Sequence, residues 1–473
     1  MMDNNDLYAR LRARYPEFVY EDYHWCVDDE GLRLWFDFRM GDVVFHPTAL
    51  VERRPFLDFG TDGLDAVVFN IGMAELVSYW KCACPPTVRL CCGSLDGWQT
   101  DFWRKLYWNG LGEFYYTNGI AESPDGFMQI VGSGPAAAHP VPLTGCSSAD
   151  GPDASFRDYL VPVGGGKDSV VTLELLRRAG KRIRPLIMNP RGATVECARV
   201  AGFAMDEVLV VRRSIDPTLL DLNRQGYLNG HTPFSAMLAF YTMLASRLSG
   251  IARVALSNES SANESTVPGT TVNHQYSKSL GFEDDFRNYV EHGMRKEGTD
   301  SPADTDDSPR FSYFSFLRPL SELQIAMLFS RCTAYHDVFR SCNVGSKQDI
   351  WCGHCPKCLF AYIILSPFIE PARLNRIFGK SMLDDLTLRP GLEQLLGLAA
   401  TKPFECVGTV SEVRQALAMA LRRWYTDGPP ALLQGLDLPA ATHAVALDRL
   451  LPEGNLNSEE RKILQEACTE KTD

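Results

Sequence analysis

The stretch YLVPVGGGKDSVVTLELLRRAG, residues 159–180, decides how this chain is read. Its apolar opening, residues 159–163, predicts a buried strand, because so short a run cannot make a helix. The run stops at Gly164-Gly165-Gly166. Lys167-Asp168-Ser169 then opens a helix whose apolar positions Val170, Leu173, Leu175 and Leu176 fall at helical spacing. Strand, glycine turn and helix start together make an anion cradle. Glycines permit positive φ and let main-chain N–H groups approach an oxyanion with no Cβ in the way. The helix dipole favours phosphate at that point, with Lys167 as a mobile countercharge.

The spelling excludes two better-known phosphate loops. The Walker pattern needs four residues between its glycines and a Gly-Lys-Ser/Thr ending, and the dinucleotide fingerprint is GxGxxG. Gly164-Gly165-Gly166-Lys167-Asp168-Ser169 instead resembles the SGGxDS pyrophosphate loop (PP-loop) of enzymes that split ATP between its α and β phosphates. Gly164 stands where that family usually has serine, which removes one hydroxyl contact to phosphate. The competing reading is an ordinary glycine-rich strand-to-helix turn.

The chain has 473 residues and a formal net charge of −12. That length supports a large core and two or three domains. The acidic balance argues against a polyanion-binding surface, so no nucleic-acid partner is expected. No apolar run of roughly 18 residues appears, so no membrane span is expected. The N-terminal sequence lacks the apolar centre of a secretory signal, which predicts a cytoplasmic protein. Fourteen cysteines fit reduced thiols plus a metal site better than a disulfide framework.

Three domains are expected: an N-terminal α+β domain over 1–155, a nucleotide domain over 156–370, and a helical C-terminal region over 371–473. In the first, alternation predicts strands over 32–38 and 43–45, and helices follow near 65–80 and 98–108. The aromatics of YWNGLGEFYYTNGI, residues 107–120, read as core packing rather than a sugar-stacking platform. Residues 132–153 read as a linker. From Tyr159 the pattern alternates: strands over 183–188, 207–211 and 254–257, helices over 195–201 and 234–248. This predicts an α/β fold with a doubly wound, Rossmann-like parallel sheet. Ligands of such sheets sit at the carboxyl ends of the strands. Four segments should therefore converge: the glycine turn, Met188-Asn189, Asn229-Gly230-His231 and Ser257-Asn258-Glu259. The last opens a dense polar loop, SNESSANESTVPGTTVNHQYSKS, residues 257–279, carrying Glu259, Glu264, His274, Tyr276 and Lys278. It reads as an active-site loop, whereas residues 295–310 read as disordered.

Cys342-x9-Cys352-x2-Cys355-x2-Cys358 has the spacing of a tetrahedral four-cysteine zinc site. A [4Fe–4S] cluster is the competing chemistry. Four thiolates leave no open coordination position, so the metal is expected to be structural, with His354 a bystander. Beyond Pro371, helices are expected over 392–399 and 411–425.

The glycine turn, Arg318-Pro319-Leu320 and the cysteine knuckle together resemble the deazaguanine-nitrile synthases of queuosine biosynthesis, over about residues 158–368. That resemblance implies a zinc-containing ATP pyrophosphatase core that adenylates a carboxylate. More of the chain is similar to another family. SYWKCACPP, GLGEFYYTNGI, VPVGGGKDSVVTLELL, NGHTPFSAM, the polar loop and CGHCPKCLF resemble the bacterial UDP-N-acetylmuramoyl-L-alanyl-L-glutamate epimerases, the MurL family. The resemblance implies inversion of the terminal L-Glu of UDP-MurNAc-L-Ala-L-Glu with ATP and Mg²⁺, releasing AMP and pyrophosphate. It transfers no catalytic base.

The chemistry is coherent from first principles. The α-hydrogen of a carboxylate is scarcely acidic, because its removal would set a second negative charge beside the first. A neutral acyl-adenylate removes that charge and accepts the developing enolate. Gly164, Gly165, Gly166, Lys167 and Ser169 are the expected neutralisers of the departing pyrophosphate. Asp168 or Glu259 are expected as oxygen ligands of Mg²⁺. His231, His274, Tyr276 and Lys278 are the candidates for proton transfer. Arg318 is read as a partner of phosphate or the γ-carboxylate, or as half of a surface salt bridge. Two rival functions stand: another carboxylate-adenylating enzyme (an amide or nitrile synthase, or a base-modifying one), and a non-catalytic nucleotide-binding module.

Overall fold

A computed structural model of the chain describes residues 4–60, 62–134, 158–267, 269–270, 272–294 and 311–470. The stretch 295–310 and most of the linker 132–153 lie outside the described residues. In chain order the strands are β1 (Glu17–Val27), β2 (Gly31–Met40), β3 (Val43–Phe45), β4 (Thr48–Glu52), β5 (Thr87–Leu90), β6 (Gln129–Gly132), β7 (Asp158–Pro162), β8 (Arg182–Met188), β9 (Leu209–Arg213), β10 (Arg253–Leu256) and β11 (Ser312–Ser315). The fold is mixed α/β, with parallel and antiparallel pairing. It divides into two compact units: 1–160, 209–254 and 272–313 in the first, and the remaining segments in the second. Among the described residues no helix is long and apolar enough to cross a membrane.

The first unit carries strands in the order β9-β4-β2-β1-β5-β6, with β3 on β2. β1/β2, β2/β4 and β4/β9 are antiparallel, while β1/β5 and β5/β6 are parallel. The strand expected over 207–211 begins two residues later, and on its β4 side it pairs antiparallel. Its Val211 faces Val51 of β4 in antiparallel register. An apolar Val-rich run reads the same in either direction, and only its partner decides which it is. Helix Leu64–Trp80 is apolar all round and almost wholly buried. Gly72 lets it close on the sheet: a Cβ there would lie 1.8 Å from the Tyr20 hydroxyl.

The second unit is built on β8 and on the carboxyl ends of β7, β10 and β11. Val163 N donates to Leu186 O, and Phe316 N to Leu256 O, each at 2.8 Å. Helix Lys167–Arg178 packs its apolar face against helix Glu322–Ser330, and helix Pro356–Leu365 packs against Val410–Trp424. Each buried Leu, Ile or Phe in these contacts contributes about 1.5–3 kcal/mol relative to exposure. Helices Asn4–Arg14, Pro217–Arg224, Leu280–Met294 and Ser458–Thr469 were not read from the sequence. In Leu280–Met294 the core residues Phe282, Phe286, Tyr289 and Val290 recur at helical spacing, but acidic residues fill the intervening positions and mute the pattern.

Candidate functional site

In the second unit, β7 delivers the chain to the glycine turn, and each glycine there plays a different part. Gly165 has φ +79°, and a Cβ on it would lie 2.9 Å from Ala193 C and Thr194 N, so the turn closes only with glycine. Gly164 has open space around it. Gly166 caps helix Lys167–Arg178 with no side-chain hydrogen bond, so no side chain competes for the helix amides that a phosphate would take. Ser169 Oγ donates to Gly166 O at 3.0 Å.

Lys167 is not the mobile countercharge expected. It is buried and ion-paired, with Asp168 Oδ1 at 2.5 Å and with Glu322. Burial opposes its charge, but Asp168, Glu322 and Glu259 outweigh that and raise its pKa. Glu259, Glu322 and Glu412 are all buried. Burial pushes the Glu322 carboxyl up to about 8; Lys167 opposes the shift, and Asp168, Glu259 and Glu412 add to it. Several carboxylates around one ammonium leave an excess of hard oxygen donors, which suits Mg²⁺. Glu322 and Glu412 carried no sequence motif; an acid heading the apolar helix ELQIAMLFS was the available signal. Met188 ends β8 half-buried, and the exposed Asn189 turns the chain with φ +51°. Arg318 is no surface salt bridge: it is wholly buried and donates to Glu259 O at 2.6 Å and Ser315 Oγ at 3.2 Å.

The four knuckle cysteines converge in the same unit, their sulfurs all within 4.8 Å of one another. Sγ–Sγ distances are 3.9 Å for Cys342–Cys355, 3.6 Å for Cys352–Cys358 and 3.4 Å for Cys355–Cys358. Four thiolates on one zinc ion at about 2.3 Å stand about 3.8 Å apart, so the set is the size of a single ion. Backbone N–H groups of Gly345 and Cys355 donate to Cys342 and Cys352 sulfurs at 3.1 and 3.4 Å. The strap leading to the knuckle touches the glycine turn, since Arg340 N donates to Gly165 O at 2.8 Å. Asp349 Oδ1 accepts from Ala193 N at 2.8 Å, at the start of helix Gly192–Val200.

The first unit gathers a second polar cluster. His231 precedes helix Phe234–Ser249, and its ring centroid lies 4.5 Å from that of His274. Glu113 Oε2 pairs with His274 Nδ1 and lies 3.5 Å from His231 Nδ1. Lys81, at the end of helix Leu64–Trp80, donates to Gly230 O, Thr232 Oγ1 and His231 O. Burial pulls the Lys81 pKa down to about 8. Burial, then the charges of His274, Lys81 and Lys278, lower that of His231 to about 3. Tyr276 is turned elsewhere: its hydroxyl donates to Asp285 Oδ2 at 3.3 Å, and burial raises its pKa. The aromatics Tyr107, Phe114 and Tyr115 are core packing, as expected. Glu113 sits among them and escaped notice, because nothing local marks one glutamate as the partner of histidines 118 and 161 residues away.

A match to the MurL N-terminal domain spans residues 9–299, and a match to the MurL C-terminal domain spans 338–438. Three relatives carry the name UDP-N-acetyl-alpha-D-muramoyl-L-alanyl-L-glutamate epimerase. The protein of Xanthomonas oryzae pv. oryzae is 37% identical over 74% of this chain and 74% of its own length. That of Salinispora tropica is 37% identical over 72% and 70%, and that of a Micromonospora species 36% over 82% and 85%. No solved structure matches the chain.

Proposed function

The chain belongs to the MurL family, and from that premise we propose that it inverts the terminal L-Glu of UDP-MurNAc-L-Ala-L-Glu to D-Glu. The product would serve peptidoglycan precursor synthesis in the cytoplasm. The names of its relatives support the reaction, and the glycine turn with its buried lysine supports the means. In this reading the second unit is a PP-loop core with a doubly wound sheet, and ATP activates the glutamyl carboxylate. A carboxylate oxygen attacks the α-phosphorus, pyrophosphate leaves, and the α-hydrogen beside the resulting acyl-adenylate becomes acidic.

The roles follow from chemistry. Amides at Gly164, Gly165 and Gly166 hold the departing pyrophosphate, and Lys167 with Ser169 completes the cradle. Asp168, Glu259 and Glu322 would hold Mg²⁺, which offsets phosphate charge when bound. Cys342, Cys352, Cys355 and Cys358 would hold a structural Zn²⁺, the tight sulfur spacing favouring one ion over an iron–sulfur cluster. The carrying observation is the Lys167–Asp168–Glu322 cluster, its lysine and glutamate buried, at the foot of an uncapped glycine turn.

The test incubates the purified chain with ATP, Mg²⁺ and the UDP-muramoyl dipeptide in D₂O. Deuterium at the glutamyl α-carbon together with AMP and pyrophosphate is expected. Pyrophosphate without exchange would identify an adenylating ligase instead, and neither product would identify a binding module.

A further inference from the structure

We infer that Glu412 is a positioning residue of the ATP site: from a helix of the C-terminal region it fixes Glu322, and through Glu322 the Lys167 ammonium. The inference deepens the adenylating reading above and rests on it. Three helices of the second unit meet there by their first turns. Lys167 is the first residue of helix Lys167–Arg178, Glu322 the first of Glu322–Ser330, and Glu412 the third of Val410–Trp424. All three side chains are buried. Lys167 Nζ pairs with Glu322 Oε2, and the backbone N–H of Glu322 donates to Glu412 Oε1 at 2.7 Å, across 90 residues of chain. Thr409 N and Thr409 Oγ1 both donate to Glu412 Oε2 at 2.8 Å, closing the capping box of that helix. One carboxylate thus serves two helix starts.

A helix leaves its first N–H groups without internal partners. In helix Glu322–Ser330 the cap Ser321 takes the N–H of Gln324, which leaves the N–H of Glu322 for an acceptor from elsewhere. Glu412 is that acceptor. Charge does not explain its presence: the Glu412 carboxylate works against an ionised Glu322, as Asp168 and Glu259 do, and only Lys167 works for it. What Glu412 adds is geometry. Glu322 is held by its backbone at one end and by Lys167 at the other, so the ammonium is set at the foot of the glycine turn. Gly408 shows how closely the parts fit, since a Cβ there would lie 3.0 Å from Glu322 Cγ and 3.1 Å from Glu412 Oε2. The help a cation gives to departing pyrophosphate depends on where it stands, and a misplacement of about 1 Å can cost ~100-fold in rate. Both oxygens of Glu412 are taken by N–H and O–H donors, which suits a residue that acts through Glu322 and does not touch the nucleotide.

The test uses the full chain. Titration calorimetry measures the Kd for ATP with Mg²⁺ and no dipeptide, AMP release is followed with the UDP-muramoyl dipeptide present, and urea melts report stability. Glu412→Ala removes the acceptor of Glu322 N; its Kd for ATP should rise and its kcat for AMP release should fall about 10-fold. Glu412→Gln keeps one acceptor oxygen and should recover part of both. Thr409→Ala weakens the cap of the C-terminal helix but leaves the bond to Glu322, so its urea midpoint should drop while Kd and kcat stay close to wild type. In a Glu322→Gln background, Glu412→Ala should add little to the loss of kcat, because the two residues act along one line. Should Glu412→Ala fail to fold, Gly408→Ala presses on both carboxylates without removing either and should shift Kd and kcat in the same direction. Wild-type Kd and kcat in Glu412→Ala, or in Gly408→Ala where it stands in, would overturn the inference. So would an equal loss of function in Thr409→Ala, or losses that simply add to those of Glu322→Gln. A wild-type chain that binds no ATP and releases no AMP would instead overturn the adenylating reading itself, and this inference with it.

Discussion

The backbone N–H of Arg340 donates to the carbonyl of Gly165 at 2.8 Å. Two residues further on lies Cys342, the first knuckle thiolate, and beyond it Asp349 seats its carboxylate on Ala193 N. The strap between Arg340 and Cys352 therefore ties the cysteine cluster to the glycine turn and to the helix start packed on it. Its anchorage at either end depends on the four sulfurs holding together, and four thiolates this close repel one another unless protonated or metal-bound.

Metal removal should therefore weaken nucleotide binding before it unfolds the chain. A zinc-selective chelator in excess Mg²⁺ is expected to raise the Kd for ATP, since the strap that holds the glycine turn loses its anchor. Titration calorimetry checks this, with circular dichroism reporting whether the fold persists. An unchanged Kd after full metal loss would uncouple the knuckle from the turn.

Gly165 and Gly164 should respond oppositely to a side chain. Gly165→Ala meets Ala193 C and Thr194 N at 2.9 Å and must hold φ +79°. The backbone term alone costs about 1–2 kcal/mol, and AMP formation should fall sharply. Gly164→Ser meets nothing within 4 Å. It should change stability by no more than about 0.5 kcal/mol and keep AMP formation. Urea melts and AMP release measured on both variants decide it.

Lys167→Met should destabilise the chain by about 1–3 kcal/mol, because it strips buried Glu322 of its partner and leaves a carboxyl, already pushed up by burial, protonated and without that hydrogen bond. Adding Glu322→Leu should recover part of that loss, since it removes the stranded polar group. Chemical denaturation of the single and double variants measures the coupling; no recovery would mean that the two side chains act independently.

His231 sets a pH dependence with a definite sign. Its pKa falls from 6.5 to about 3 on folding, through burial first and then the charges of His274, Lys81 and Lys278, with Glu113 facing it as the opposing carboxylate. Between those values the unfolded chain takes up a proton that the native chain refuses. The stability contributed by neutral His231 is thus complete above pH 6.5 and is lost as pH falls toward 3. In that window His231→Gln should flatten the dependence by up to about 1.4 kcal/mol per pH unit. Urea midpoints at about pH 7, 6 and 5, spanning the unfolded-state titration, test it: parallel curves for wild type and variant would contradict the assignment.

The glycine turn, the CxxC pair and the helix that follows Lys167 were all legible in the chain. Each is set by backbone geometry over a few consecutive residues, so spacing alone specifies it: a positive φ needs glycine, and two sulfurs one turn apart can share an ion. His231 and His274 could be named as residue types able to move protons, yet nothing local separated them from Tyr276 or Lys278. Tertiary structure gave them different surroundings, bringing Glu113 and Lys81 to the histidines and Asp285 to Tyr276. It likewise turned Lys167 from a mobile charge into a buried ion pair by setting Glu322 against it, and gave β9 an antiparallel partner in β4. Protonation and pairing depend on burial and on charges a few ångströms away in space, and, Asp285 beside Tyr276 apart, those neighbours come from parts of the chain more than a hundred residues distant, which no local pattern encodes.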